Sequence, residues 1–407
     1  MVVQYIMLLL GLISLNCHEA SINTDHNFSR QTEISPMGLP IYTGADQTDL
    51  YLPLIKGARV GLLVNQTSIT GGKHLVDVLM ENNIQVSKIF APEHGFRGEA
   101  DAGANIQDDK DKATGIPIVS IYGKKKAPDS IDLAGIDVVI FDVQDVGVRF
   151  YTYLSTLKYL MEACAVHGKS LLVLDRPNPN GHYIDGPVLK PQFTSFVGVI
   201  PIPIVHGMTL GELAWMMNSE GMLNDGIKCR LKVIPCKNYN HKLPYSLPVK
   251  PSPNLPNQLS IALYPSLCLF EGTNFSIGRG TNKQFQIYGS PLAIKGDYYF
   301  VPEPMPGAMS PFLLGKKCRG YDLSDRKVDK IRQEKRVNLS YLIHAYRDYP
   351  KKSEFFLKNN FIDKLMGTDS FRLQVIAGKS EEEIRETWKD DLDKFKMIRK
   401  KYLLYPE

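Results

Sequence analysis

The chain has 407 residues, 43% hydrophobic and 22% charged, and its 48 basic and 43 acidic side chains give a formal charge of +5. A domain usually takes about 100–200 residues, so the length fits two or three cores and excludes a small disulfide-stapled module. The apolar fraction excludes a disordered chain, and so small a positive excess, without a dense basic run, argues against a nucleic-acid partner.

Tyr5 to Cys17 reads YIMLLLGLISLNC. This is too short for the roughly 20 residues of a membrane-spanning helix and has the length of a signal-peptide core. Residues 1–17 are therefore read as an export signal, although no Lys or Arg precedes the apolar run. Leu15-Asn16-Cys17 resembles a loose bacterial lipobox, which predicts lipidation at Cys17 and an exported protein, periplasmic or membrane-anchored; cleavage a few residues later is the alternative. Residues 18–38 are polar and aperiodic, as suits a tether.

From residue 59 to about 205, short Val- and Ile-rich runs alternate with helical stretches. The pattern predicts strands at Arg59–Asn65, Val86–Ala91, Ile116–Tyr122, Asp137–Asp142 and Ser170–Asp175. Helices are expected at His74–Asn82, Tyr151–His167 and, behind a Thr209 cap, Thr209–Glu220. Residues 39–222 thus read as a Rossmann-like, doubly wound α/β domain, in which ligands sit outside the carboxyl ends of the strands. Those ends carry NQTSITGG, PEHGFRGEADAG, VQDVGVRFYTY and RPNPNGHYIDGP. Neither G-x-G-x-x-G nor G-x-x-x-x-G-K-[ST] stands among them, which argues against a nucleotide.

Residues 223–407 read as a second, α+β domain. The Pro- and Asn-rich KPSPNLPNQ is a loop, residues 261–289 mix strand-like runs with glycine turns, and helices are expected at Leu339–Arg347, Ser353–Leu365 and Ser380–Arg399. Cys164, Cys229, Cys236, Cys268 and Cys318 lack the paired spacings of a zinc site. Cys229 and Cys236 flank the strand-like LKVIP, which holds them apart. The cleft between the two domains is the default site.

Six blocks, APEHGFRG, FDVQDVGVRFYTY, LDRPNPNG, HGMTLGELA, SPNLP and LFEGTNFSIGRGT, occur in this order. Together they resemble the bacterial exo-β-N-acetylmuramidase (NamZ-type) family, from about residue 40 to a WKDDLDKF segment near the C-terminus. The resemblance implies a Rossmann-like domain plus a C-terminal domain, no cofactor, and release of terminal N-acetylmuramic acid from peptidoglycan-derived glycans or muropeptides.

Glycoside hydrolysis usually needs two carboxyl groups about the scissile bond, one of them protonated. Glu93, past the second strand and before Gly95 and Gly98, is the first choice as acid, with His94 to orient it and a structural pair with Arg97 as the alternative. The second carboxylate is sought among Asp142, Asp145, Asp175 and Glu271, with Glu271 and Asp142 ahead; a substrate acetamido oxygen is a different solution. The lactyl carboxylate of muramic acid suits a planar guanidinium, so Arg149, Arg176 and Arg279 are its candidate partners. Tyr151 and Tyr264 offer stacking faces, Asn65, Asn178, Asn254 and Asn274 offer amides, and His206 completes the set. Two readings compete: a metal-dependent hydrolase using Glu93, His94, Asp142, Asp145, Asp175 and His206, without a compact motif, and a non-catalytic envelope sugar-binding protein.

Overall fold

The β-branched runs of the first half form six parallel strands: β1 (Arg59–Val64), β2 (Gln85–Ala91), β3 (Pro117–Ser120), β4 (Val138–Asp142), β5 (Ser170–Leu174) and β6 (Arg230–Ile234). They lie in the order β3-β2-β1-β4-β5-β6, with a two-residue strand, Asp109–Lys110, antiparallel on β3. The chain reverses its winding between β1 and β4, as in doubly wound dinucleotide folds. The structure is a computed structural model that describes residues 39–98, 101 and 108–407; the signal-like run, Cys17 and the tether fall outside the described residues.

Alternation along the strands separates two apolar faces. Leu63, Phe90, Phe141 and Val173 point to one, Leu62, Ile89, Ile140 and Leu174 to the other. The second face is covered by α1 (Thr48–Ile55), which the periodicity did not signal, and α2 (Leu75–Glu81); the first is covered by α3 (Tyr153–Val166) and α4 (Leu210–Ser219). Thr209 caps α4 as expected, and Glu212 completes a reciprocal capping box.

The sheet runs past the boundary expected at residue 222. Its last strand is the LKVIP segment, paired from Ser170↔Arg230 to Leu174↔Ile234, and Cys229 and Cys236 on its flanks are free buried thiols. In the second half, α5 (Gln258–Leu267) stands where strand-like runs were expected, because Asn257 and Ser260 close a capping box that starts a helix. There follow a three-stranded antiparallel sheet, β7 (Ile287–Ser290), β8 (Tyr298–Phe300) and β9 (Cys318–Asp322), in the order β7-β9-β8, and the helices α6 (Val328–Glu334) and α7 (Ser340–Asp348). The helix expected over 353–365 is only α8 (Phe361–Met366), since Asn360 before it takes a left-handed φ of 50°. After α9 (Ser370–Ile376), the helix expected over 380–399 is two, α10 (Glu381–Glu386) and α11 (Lys389–Arg399), broken where Trp388 turns into the core.

The halves share one core. Val148, Phe150 and Tyr151 pack in the same buried cluster as Tyr264, Phe270 and Phe275. The C-terminal tail returns to the first half: the Tyr405 hydroxyl donates to Asp175 Oδ2 at 2.5 Å, and the Leu404 N–H donates to Glu212 Oε1 at 2.8 Å.

Candidate active site

Glu93 leaves β2 on a tight turn over residues 92–98. His94, Gly95 and Gly98 all take positive φ (69°, 80° and 72°), and the Gly95 N–H closes the turn on the Pro92 carbonyl at 2.9 Å. A non-glycine residue in this region is uncommon and persists where its surroundings hold it. For His94 one holding contact is Ser252 Oγ, 3.2 Å from Nε2. At Gly98 a Cβ would fall 2.2 Å from the Gln66 side chain, so another residue there would have to displace that side chain and hold a positive φ of 72°. The turn leaves Glu93 half-buried; its Oε1 accepts the Tyr122 hydroxyl at 2.8 Å and its Oε2 accepts the Thr152 hydroxyl.

The loop after β6 closes on this turn. The Pro251 carbonyl accepts the Tyr151 hydroxyl at 2.7 Å, and the Lys250 carbonyl accepts Gln66 Nε2 at 3.0 Å. Asn254 Nδ2 then reaches the Gly307 carbonyl of the second half at 2.9 Å. A line of rings runs from Glu93 across the boundary: Tyr153 meets Tyr151 (5.0 Å between centroids), Tyr151 meets Tyr264 (5.9 Å), and Tyr264 meets Phe285 (4.9 Å), nearly all edge to face. The Arg279 guanidinium lies 5.0 Å over Phe285. Its Nη2 and Nε donate to one oxygen of Glu271 at 2.7 and 3.0 Å, while Nη1 is itself buried and has no partner among the described residues. Both partners stay partly exposed, at 23% for Arg279 and 27% for Glu271.

Most of the other expected site residues hold the loops instead. Asp142 is fully buried, with both oxygens taken by Arg176 at 2.5 and 2.9 Å, so neither the carboxylate nor that guanidinium is open to a ligand. Arg149 is fully buried and donates to the carbonyls of Pro187, Ile202 and Leu365; burial alone pulls its pKa down to about 9, and it staples the two halves. Asp175 is buried beneath Thr209, Gly211 and Tyr405 donors, and burial still raises its carboxyl to about 6. His206, fully buried, accepts the Met208 N–H, and burial lowers it to about 3. The amides are also spent: Asn65 on Tyr153 and Thr67, Asn178 on Met208 and Asn180, Asn254 on Gly307 and Asn274 on Glu354. The alternative pairing of Glu93 with Arg97 does not form, because Arg97 bridges to Asp111. The side chains of the metal-site reading are likewise engaged separately, and among the described residues no three His, Cys, Asp or Glu side chains are placed to hold an ion.

At the topological switch point the loop after β1 is pinned to the loop after β4. Ser68 Oγ donates to the Asp142 carbonyl at 2.5 Å, and the Gln144 N–H donates to Thr67 Oγ1 at 3.0 Å. A dinucleotide fold keeps this crevice for its ligand. Three contacts around Glu93 were not foreseen: Tyr122, Thr152 and Ser252. Tyr122 ends the third strand run, and Thr152 and Ser252 lie inside two of the six blocks, so position was the available signal.

Asp145 is a different case. It is buried, its Oδ2 accepts the Gly147 N–H at 2.6 Å, its Oδ1 has no partner, and burial raises its carboxyl to about 7 from an ordinary 3.8. The folded chain therefore keeps a proton that the unfolded chain releases from about pH 4 upward, so stability falls as pH rises through about 7. Asp145→Asn, which keeps the Gly147 contact, should flatten that fall in urea-denaturation midpoints at pH 4.5, 6 and 8; a slope equal to that of the parent would refute it.

Comparisons with known proteins cover nearly all of the described chain. Residues 60–259 match the family "Exo-beta-N-acetylmuramidase NamZ, N-terminal", and residues 262–405 match its C-terminal counterpart. The chain is 40% identical over 373 residues to the peptidoglycan β-N-acetylmuramidase NamZ of Bacillus subtilis (strain 168), covering 87% of this chain and 89% of that one. Two crystal structures of DUF1343 family proteins from Bacteroides fragilis NCTC 9343 share the fold. One is 47% identical with a TM-score of 0.84, covering 91% of this chain and 100% of that one; the other is 28% identical with a TM-score of 0.77, covering 92% and 100%. The chain belongs to the NamZ exo-β-N-acetylmuramidase family, in both its N-terminal and its C-terminal parts.

Proposed function

We propose that this protein is an exo-acting glycosidase that releases N-acetylmuramic acid from the non-reducing end of peptidoglycan fragments. The observation that carries the reading is the half-buried Glu93, held by hydroxyl donors at the carboxyl end of the sheet and joined by a run of rings to an incompletely paired arginine. Family membership supports the substrate class.

In this reading Glu93 protonates the leaving oxygen. With Asp142 and Asp175 consumed by buried donors, the second role falls to Glu271 or to the substrate's acetamido oxygen. Arg279 takes the lactyl carboxylate through Nη1, the buried donor that Glu271 leaves unpaired, because a planar guanidinium presents a second N–H edge. Tyr151 and Tyr264 pack edge to face between the two ends.

The same proposal includes export through residues 1–17 and anchoring at Cys17. Cys17→Ser should move the protein from the membrane fraction to the soluble one; retention at the membrane would contradict anchoring at this residue.

Glu93→Gln keeps the shape and removes the proton. It should lower turnover of substrates with poor leaving groups by about 10²–10⁴-fold, the usual yield of general acid catalysis, and reduce turnover of activated aryl glycosides far less, with KM little changed. Equal rates for variant and parent on both substrate types would exclude Glu93 as the acid.

A further inference from the structure

Thr152 occupies the N-cap position of the 14-residue helix α3, yet its side chain makes no capping hydrogen bond. Threonine is placed at helix starts because its oxygen satisfies an orphan N–H there. Here the hydroxyl is turned away from the helix and meets Glu93 Oε2. On the other oxygen, Oε1, sits the hydroxyl of Tyr122, whose ring packs 5.7 Å from Phe196. The two hydroxyls come from different parts of the fold, the loop just past β3 and the start of α3, and grip the two oxygens of one carboxyl group.

Their chemistry differs. Tyr122 is more than half-buried, and burial, with Glu93 facing it, pushes its phenol well above the ordinary range, so it remains a protonated donor at every working pH. An aliphatic hydroxyl can either donate or accept by rotating about its C–O bond.

We propose that Tyr122 and Thr152 are positioning residues for the acid: Tyr122 marks Oε1 as the unprotonated oxygen, and Thr152, a donor to the carboxylate, turns to accept the hydrogen bond of the protonated Oε2–H and aims it until a glycosidic oxygen takes its place. This rests on the reading of Glu93 as the acid. The proton then moves from Oε2 to the leaving oxygen, the C1–O electron pair goes with that oxygen as the second group, Glu271 or the substrate's acetamido oxygen, bonds C1, and Glu93 is left as a carboxylate. Thr152 rotates and becomes a second donor to it, beside Tyr122 and the positive end of α3. Water then gives its hydroxyl to C1 and its proton to Glu93 while the second group leaves C1 with its electron pair, which restores the starting state.

Among the described residues, the other groups near Glu93 are engaged elsewhere or reach only its backbone. Tyr153 reaches only its backbone carbonyl, at 3.4 Å, Tyr151 is committed to Pro251, His94 in the same turn faces Ser252, and Arg97 faces Asp111. Asp145 lies behind the tyrosines and acts on them through space.

The test is the pH dependence of kcat and KM on a poor-leaving-group muramic acid glycoside, for the parent, Tyr122→Phe, Thr152→Val, Thr152→Ser and Glu93→Gln. Tyr122→Phe removes a donor that favours the carboxylate, so the acid holds its proton to higher pH and the basic limb of kcat/KM should move up by about one pH unit. Thr152→Val should lower kcat about tenfold or more with KM unchanged, and Thr152→Ser should restore most of it, which a merely structural methyl would not require. A basic limb unmoved in Tyr122→Phe, or a Thr152→Val enzyme with the parent's kcat, overturns the proposal when Glu93→Gln is inactive. Parent-like activity in Glu93→Gln would instead remove the reading of Glu93 on which it rests.

Discussion

Everything at the carboxyl edge of the sheet depends on one constraint: a buried polar group must find a hydrogen-bond partner or incur a cost of about 1–3 kcal/mol. The doubly wound sheet delivers loops rich in Asp, Asn, Arg and Gln to one edge, and the second half covers that edge, so these side chains lose water together. They respond by satisfying one another. Asp142 takes Arg176, Asp175 takes Thr209 and Tyr405, and Asn254 takes the Gly307 carbonyl. Of the expected carboxyl groups, those left partly exposed are Glu93 on its left-handed turn and Glu271, whose partner Arg279 keeps Nη1 buried without a partner among the described residues. Arg149 is the extreme case of the same rule, a fully buried guanidinium without a carboxylate, whose cost is offset by three backbone carbonyls drawn from both halves.

The fold was legible where the period of the sequence matched the period of the element. Five strands of the sheet and the three central helices of the first half fall within two residues of expectation, because buried parallel strands read as continuous Val- and Ile-rich runs. Legibility failed where a cap or a single residue decides. Asn257 starts a helix in a stretch whose aromatic and β-branched residues suggest strand, Asn360 and Trp388 interrupt helical periodicity that is otherwise intact, and β6 joins a sheet by tertiary pairing that no local pattern encodes.

For the site, strand-end position proposed Glu93, and residue type in a loop of the second half proposed Glu271 and Arg279; the same criteria also gathered Asp142, Asp175, Arg149, Arg176 and His206, which the folded chain pairs internally. A sequence shows which side chains reach the edge of a sheet; it does not show which of them will be paired once water leaves. The strand order is that of a dinucleotide-binding fold, yet Ser68 and Thr67 tie the β1 and β4 loops across the crevice, and Glu93 with its two hydroxyl partners stands instead toward β2, β3 and the start of α3. The architecture alone is therefore a poor guide to the ligand, since function resides in the site that a fold carries.

The account makes Arg279 the group that distinguishes muramic acid from glucosamine at a chain end. The measurement that reaches this most directly is kcat/KM for release of the terminal sugar from disaccharides ending in N-acetylmuramic acid or N-acetylglucosamine, for the parent and Arg279→Ala. The account predicts strong preference for the muramic acid end and a narrowing of that preference by about tenfold or more in the variant, as expected for loss of one charge-assisted contact. No release of muramic acid by the parent, or a preference untouched by Arg279→Ala, would contradict it.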